Sequence, residues 1–416
     1  MAVQITIISK LDKTKASVYT IDAHLSAKEI KRCEALLLNP LIEEVIEAKS
    51  PFTEIGFLPG VTDNVGNTAT EMLGYRTYSS TIYFKTFPAF NPLIQRASRN
   101  KFLPVPRVVL PPPNQAQKID LNVSDEELMR ISQERTLALD LASMRAIRDH
   151  RSVVTDVELE ALAQTWSEHC KHTIFADPLD EIKEGLYRKY IKGATKKINK
   201  KFCVSVFTDN SGAIVFDKNY LVTHKVETHN TPSALDPFGG AITGIVGVNR
   251  DTIGFGLGAK PIANFYGFCL ASPDNKQELY RDAKLTQPML SARRIMDGVI
   301  EGINAGGNQS GIPTPQGFLY FNDRYRGKPL VFAGTVGLIP RKINDKPSHI
   351  KKALPGDYIV MVGGRVGRDG IHGATFSSEH LHPGSPAAAV QIGDPITQKK
   401  LSDAIVKEAR DLGLYH

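Results

Sequence analysis

Seven prolines crowd the stretch between Pro88 and Lys118, at positions 88, 92, 104, 106, 111, 112 and 113. Proline fixes φ and has no N–H to donate, so this stretch is neither a helix interior nor the middle of a sheet. It predicts extended chain lying on a surface. It also divides the 416-residue chain into a short leading part and a long trailing one. We expect a small α+β domain over 1–90, a proline-rich linker over 91–123 and a helical linker region over 124–175. An α/β domain over 176–345 and the beginning of another over 346–416 follow, so the class is α/β (α+β).

In the leading part, Val3–Ser9 and Ala16–Ile21 read as strands. Ser26 with Glu29 three residues on is a capping box opening a helix to Leu38, and Leu41–Ala48 returns to strand. Ser124 with Glu127 predicts a second helix start, running to about Arg148. Thr155 with Glu158 predicts a third, over Asp156–Cys170. There Leu159, Leu162, Ala163 and Trp166 recur at helical spacing and form the buried stripe. On one continuous helix His169 and Cys170 would share that inward face, at its C-terminal end.

From Phe202 the pattern changes. Phe202–Phe207, Ala213–Phe216 and Tyr220–Lys225 read as short strands separated by polar turns, with glycine-rich turns through Lys260. A helix within Leu285–Asn304, strands at Leu330–Ile339 and Tyr358–Val362, and a helix at Thr397–Leu412 follow.

Composition excludes several classes. Hydrophobic residues make up 42% and charged residues 23%, the balance of a folded soluble protein. The 51 basic and 44 acidic residues leave +7. Eight Lys and Arg against Glu181 and Glu184 place +6 of this in Glu181–Lys201. This is one basic stripe, read as a solvated face or as a lip that draws in phosphate-bearing substrates. No nucleic-acid motif accompanies it, so no nucleic-acid partner is expected. The longest uncharged run, Gly302–Asn322, holds five glycines and two prolines, so no membrane partner is expected either. The N-terminus lacks a signal-peptide pattern, and four cysteines without paired spacing point to a reducing cytoplasm.

Three constellations could carry chemistry. Trp166-Ser-Glu-His-Cys-Lys-His172 offers His169, Cys170 and His172, as metal ligands, as a Cys–His pair, or as residues of a core. In Lys225-Val-Glu-Thr-His-Asn-Thr-Pro232, leading to Asp236-Pro-Phe-Gly-Gly240 and Arg250-Asp251, carboxylates Glu227 and Asp251 suit Mg²⁺ shared with nucleotide phosphates. Lys225 and Arg250 add positive charge, and Gly239, Gly240, Gly244 and Gly247 would let backbone approach a phosphate. The plainer reading is a polar strand edge with a glycine-rich turn. Gly363–Gly373 is a loose likeness of a phosphate loop, without the Gly-Lys-Ser/Thr ending.

Together these motifs resemble phosphoribosylformylglycinamidine synthase, an ATP-dependent ligase of purine synthesis. Ser-Glu-His-Cys at 167–170, Val-Glu-Thr-His-Asn at 226–230, Gly-Gly-Ala-Ile-Thr-Gly at 239–244, Arg-Asp at 250–251 and Gly-Ile-Pro-Thr at 311–314 occur in that family's order. Gly-Arg-Asp-Gly-Ile-His-Gly-Ala-Thr-Phe at 367–376 and Val-Gln-Ile-Gly-Asp-Pro at 390–395 follow. The likeness covers about 150–416, and 1–90 looks like the family's small accessory subunit fused in front.

The resemblance implies the fold of aminoimidazole ribonucleotide synthetase, with ATP and Mg²⁺ as cofactors. It implies catalytic roles for His169 and His229, ATP contacts at His172 and Lys225, and Mg²⁺ ligands at Glu227 and Asp251. Substrate contacts fall at Thr228, His229, Asn230, Thr231, Arg250 and Gln391, with His229 as proton acceptor. The reaction implied converts formylglycinamide ribonucleotide to the amidine through an iminophosphate. Ammonia would come from a glutaminase domain or partner.

Thr231 stands where the family usually has His. The family continues beyond His416, so the chain is expected to be an N-terminal portion, completed by the missing half or by self-association as a dimer. Alternatives are another ATP-using member of the same superfamily, or a nucleotide-binding assembly module without turnover.

Overall fold

The computed structural model describes residues 2–61, 63–92, 94–108, 115–364, 370–377, 381, 382, 384, 385, 390, 391 and 393–416. They fall into two compact units, dividing near residue 113.

The first unit runs β1 (Val3–Ser9), β2 (Lys15–Ile21), α1 (Ala27–Leu37), β3 (Glu43–Ile46), β4 (Phe52–Phe57), α2 (Asn64–Leu73), β5 (Thr77–Phe84) and β6 (Gln95–Arg99). The strands form one antiparallel sheet in the order β3-β1-β2-β5-β4-β6. Both halves of the Ser26–Glu29 capping box are made. Ile5, Ile7 and Ile21 pack with Cys33 of α1 and Leu73 of α2. Val18, Phe52 and Ile82 form a second cluster, against which Phe84 and Phe102 pack.

The proline segment belongs to this unit. The sheet continues past residue 90, because the proline-free gap between Pro92 and Pro104 supplies β6, paired with β4. Beyond it, Leu103 N–H donates to the buried carboxylate of Glu54 at 2.6 Å, and Arg96 Nη2 donates to Pro104 O at 2.5 Å. The three consecutive prolines at 111–113 lie outside the described residues.

The second unit opens with a ribbon of β7 (Lys118–Asp120) and β8 (Val153–Thr155), enclosing α3 (Asp125–Glu134) and α4 (Leu141–His150). The single helix expected to Arg148 is two. Thr136 and Ala138 take positive φ, and Asp140 restarts the helix by accepting from Ser143 N–H at 2.8 Å. Next come α5 (Asp156–Trp166), α6 (Glu168–Lys171), α7 (Thr173–Ala176) and α8 (Gly193–Ile198). Leu128, Met144, Leu159 and Ala163 form the core here, with Trp166 packed against it.

The remainder is a second six-stranded sheet. It is built from β9 (Cys203–Ser205), β10 (Gly212–Val215), β11 (Tyr220–Thr228), α9 (Asn230–Leu235), α10 (Pro237–Ile253), β12 (Lys260–Leu270), α11 (Ala292–Ser310), β13 (Gln316–Phe321) and β14 (Leu330–Pro340). A hairpin of β15 (Lys342–Ile343) and β16 (Lys346–Pro347), then α12 (Gly373–Phe376) and α13 (Pro395–Ala404), complete it. The order is β13-β12-β14-β11-β10-β9, with only the β12–β13 pair parallel.

The glycine-rich turns expected through Lys260 are instead the 17-residue α10. Its start was encoded by Asp236-Pro237, an N-cap followed by Pro at N1. Its partner α11 carries Gly298, Gly302 and Gly306 at four-residue spacing, one stripe of a helix. A Cβ at Gly302 would lie 2.4 Å from Phe238 O, so this stripe brings α11 into close contact with α10. The two helices cover one sheet face through Ala241, Ile245, Val248, Ile295 and Val299, against Tyr266, Leu270, Val331 and Ala333.

The opposite face carries a file of rings. His224 stacks on Phe265 at 5.3 Å, Phe265 lies 6.0 Å from Phe332, and Phe332 lies 6.5 Å from Phe318. At the edge, Phe318 and Tyr320 are 54% and 52% exposed.

Tyr358–Val362, read as a strand, has no strand partner among the described residues and is exposed. In the glycine loop read at 363–373, residues 365–369 lie outside the described residues. No described helix is long and apolar enough to cross a membrane.

Candidate functional site

The C-terminal end of β11 and the last turn of α10 meet over one row of the sheet. In an antiparallel ladder, residues directly opposite each other point to the same face. Asn264 of β12 pairs with Thr335 of β14, and Thr335 pairs with Lys225 of β11. All three therefore face α10. Lys225 Nζ reaches Asp251 Oδ2 at 3.0 Å, with both side chains about a quarter exposed. Glu227, two residues further along β11, shares that face.

The same turn of α10 is fastened again beside this pair. Asn249 Oδ1 accepts from Asn264 Nδ2 at 2.8 Å and from Thr335 Oγ1 at 2.7 Å. All three side chains are buried, where hydrogen bonds are short-range fixers and lost partners are costly. Sequence reasoning missed Asn249, Asn264 and Thr335. They lie far apart in the chain and meet only through strand register.

Beyond Thr228 the chain turns. His229 N–H donates to Val331 O at 2.8 Å, and Val331 N–H donates to Asn230 Oδ1 at 2.9 Å. The His-Asn pair thus prolongs the β11–β14 ladder by one step, with a side chain replacing a backbone carbonyl. Thr231 is buried and its Oγ1 donates to Ser377 O at 2.9 Å, fastening α9 to the end of α12. The His229 Cβ lies 3.3 Å from where a Cβ on Gly244 would be, so the ring rests against this bare helix position.

Among the described residues, none is a hydrogen-bond partner of the buried His229 Nδ1. Burial pushes its pKa down to about 4, a backbone hydrogen bond to Gly240 opposes this, and the charge of His169 pushes it further down. Nearby, burial raises the Asp236 carboxyl to about 6, against hydrogen bonds from Gly239 and Phe238 and the charge of Arg294.

His169 and Cys170 do not lie on the inward face. Ser167 takes extended ψ and ends α5, so both residues emerge on the separate turn α6 and are exposed. His169 is therefore not at the C-terminus of α5. The Glu168 carboxylate accepts from the N–H groups of Thr173 at 3.0 Å and Ile174 at 3.2 Å, holding the start of α7. His172 sits at the left-handed corner between α6 and α7 and is exposed. No hydrogen bond or ion pair joins it to Lys225 among the described residues.

The α6 turn touches α12, the element fastened to Thr231. His372, which caps α12, places Nδ1 3.0 Å from Glu160 Oε1 of α5. Gln391 is exposed, and its backbone carbonyl accepts from Thr243 Oγ1 of α10. Arg250 and Thr228 are exposed. Gly239, Gly240, Gly244 and Gly247 are on the helix α10 and form no phosphate loop; Gly240 and Gly244 serve close packing.

Against known proteins, the formylglycinamide ribonucleotide amidotransferase linker domain matches residues 128–172. The N-terminal domain of AIR synthase related proteins matches 208–339. The synthase subunit PurL of Thermoplasma acidophilum is 36% identical over 299 residues, 70% of this chain and 36% of that relative. The Thermotoga maritima subunit is 36% identical over 271 residues, 62% and 37% of the two chains. The linker and second sheet are thus similar to phosphoribosylformylglycinamidine synthase subunits. A solved structure, T. maritima PurL complexed with FGAR, matches with TM-score 0.50 and 31% identity over 66% of this chain and 38% of that one. The second unit has the AIR synthase-type fold within an α+β chain. The chain spans about a third of the length of the synthase subunits it matches.

Proposed function

We propose that this chain is part of a synthase that converts formylglycinamide ribonucleotide to formylglycinamidine ribonucleotide with ATP and ammonia. The observation that carries this reading is the Lys225–Asp251 pair beside Glu227, two residues before His229, within the segment matched by the synthase subunits.

In the reaction, the substrate amide oxygen attacks the γ-phosphorus of ATP, ADP leaves, and an iminophosphate forms. Ammonia then adds at the same carbon, phosphate departs, and the amidine remains after loss of a proton. Phosphoryl transfer depends on positioning and charge neutralisation. Lys225 would contact the ATP phosphates, releasing Asp251. Glu227 and Asp251 would hold Mg²⁺. Two carboxylates completed by water and phosphate oxygens suit that ion, and it would neutralise phosphate charge. Among the described residues no larger ligand cluster exists.

His229, neutral at pH 7, would accept the proton, although burial in this state makes it a weak base. His169, exposed on α6 and close enough to His229 for its charge to act there, would take a catalytic role, and His172 would contact the nucleotide. Thr228, Arg250 and Gln391 are available to substrate. Asn230 and Thr231 are already bonded to the protein and hold the turn that presents His229.

We place ammonia production in a separate glutaminase and the first unit in an accessory role. The uncovered face of the second sheet would take the remainder of the synthase or a second copy. Four unbridged cysteines support a cytoplasmic location.

The test is ADP formation dependent on formylglycinamide ribonucleotide and ammonia. It is measured on this chain and on the chain joined to the remaining synthase portion. Turnover in the longer form, lost in Lys225→Ala and His169→Ala, is expected. A longer form that ignores this substrate, with His169→Ala unchanged, would sink the reading.

A further inference from the structure

At the opposite end of β11 from Lys225, about 20 Å away along the strand, a cleft of about 570 Å³ opens. Lys218, Arg341, Lys342 and His349 line it together with Asn219 and the apolar Val204 and Leu221. No carboxylate is among the described lining residues. Among the described residues none of Lys218, Arg341, Lys342 and His349 is in an ion pair, whereas Lys225, Lys351 and Lys399 each have a carboxylate partner.

The walls are built rather than loose. Asp217 Oδ1 accepts from the N–H groups of Asn219 and Tyr220, both at 2.7 Å, fixing the turn that carries Lys218. Arg341 N–H donates to Asn219 O at 2.8 Å, and Ser348 N–H donates to Arg341 O at 3.1 Å. The β15–β16 pairing of Lys342 with Pro347 closes the far wall. Asp217 is thus engaged with backbone, and Asp345 sits at the left-handed tip of the hairpin.

Three cationic groups, Lys218, Arg341 and Lys342, gathered around one cleft repel one another, less so as salt rises. A multiply charged anion relieves that repulsion and receives charge-assisted hydrogen bonds, bidentate from Arg341. The volume exceeds that of a single ion and falls among small-molecule pockets. We propose that this cleft binds a small phosphate-bearing anion at a site separate from that of Lys225.

The test is calorimetric titration of the full chain, without Mg²⁺, with inorganic pyrophosphate and separately with ribose 5-phosphate. The variants are Lys225→Gln and the triple Lys218→Gln/Arg341→Gln/Lys342→Gln. We expect one saturable, salt-sensitive site for at least one probe. The triple variant should weaken it at least about tenfold, as loss of charged hydrogen bonds implies, and Lys225→Gln should leave it unchanged. Pyrophosphate alone binding would identify an inorganic ligand, and ribose 5-phosphate binding a sugar phosphate. The exposed variant positions keep the fold, checked by circular dichroism. The proposal is overturned if neither probe saturates by 10 mM, on the order of the weakest useful affinities. Binding that survives the triple variant, or that is lost in Lys225→Gln, also overturns it.

Discussion

The two units each contain a six-stranded sheet, and they treat their faces differently. In the first, one face packs on α1 and α2, and the aromatic residues of the other meet Phe102 of the chain leaving β6. In the second, α10 and α11 cover one face, and on the other Phe265 and Phe332 are half-buried while Phe318 and Tyr320 at the edge are exposed. The first sheet finds its covering within its own 113 residues, using the proline segment as a strap. The second concentrates its polar precision on the covered face, where Lys225, Glu227, Asn264 and Thr335 lie.

If that contrast is right, Ile82→Ala in the first sheet should cost about 4 kcal/mol, the upper part of the range for a fully buried branched residue. Urea unfolding followed by circular dichroism measures it. A cost under about 1 kcal/mol would mean the first sheet is no better closed than the second.

Next comes the covered side of the second unit, read by the fluorescence of Trp166, the chain's one tryptophan. Asp236, raised from 3.8 to about 6, binds its proton more tightly when folded, so its contribution falls as pH rises between these values. His229, lowered from 6.5 to about 4, contributes stability that is present above 6.5 and lost as pH falls toward 4. Each is worth about 3 kcal/mol, and over pH 4–6 they oppose each other. Asp236→Asn should stabilise by up to about 3 kcal/mol at pH 7 and expose a one-proton acid loss that the unaltered chain masks. An unchanged pH profile would refute it.

Thr335→Val leaves Asn249 Oδ1 one donor short and should cost about 2 kcal/mol. No loss would mean that the Asn249–Asn264–Thr335 cluster does not fasten α10. The smallest effect belongs to the bare face. Phe318→Ser with Tyr320→Ser should change stability by less than about 1 kcal/mol and lower any self-association seen by light scattering. A larger stability loss would show that the face is closed within the chain.

Local signals were legible and long-range ones were not. The Ser26–Glu29 and Thr155–Glu158 boxes act over three residues, so the sequence alone marks them. Asp236-Pro237 was equally legible as a helix start, but four glycines drew the reading toward a loop. A close helix contact selects glycine as strongly as a phosphate turn does. His169 was misplaced because nothing in the apolar periodicity through Trp166 announces that Ser167 turns the chain. Lys225, Glu227 and Asp251 were found as chemistry-bearing types. The row that aligns Lys225 with Thr335 and Asn264 depends on register across β12, β14 and β11, which no short motif encodes.

The edge strand β13 has a consequence for the life of the nascent chain. Gly317-Phe-Leu-Tyr-Phe321 offers an uncharged, aromatic, unpaired strand edge, the composition that seeds cross-β association. Pro313 and Pro315 stand just before it, and Asp323 and Arg324 just after it. These are gatekeepers, which slow the spread of pairing at each end but leave the middle sticky. While that edge stays open it is the part of the described chain most exposed to aggregation and to chaperones.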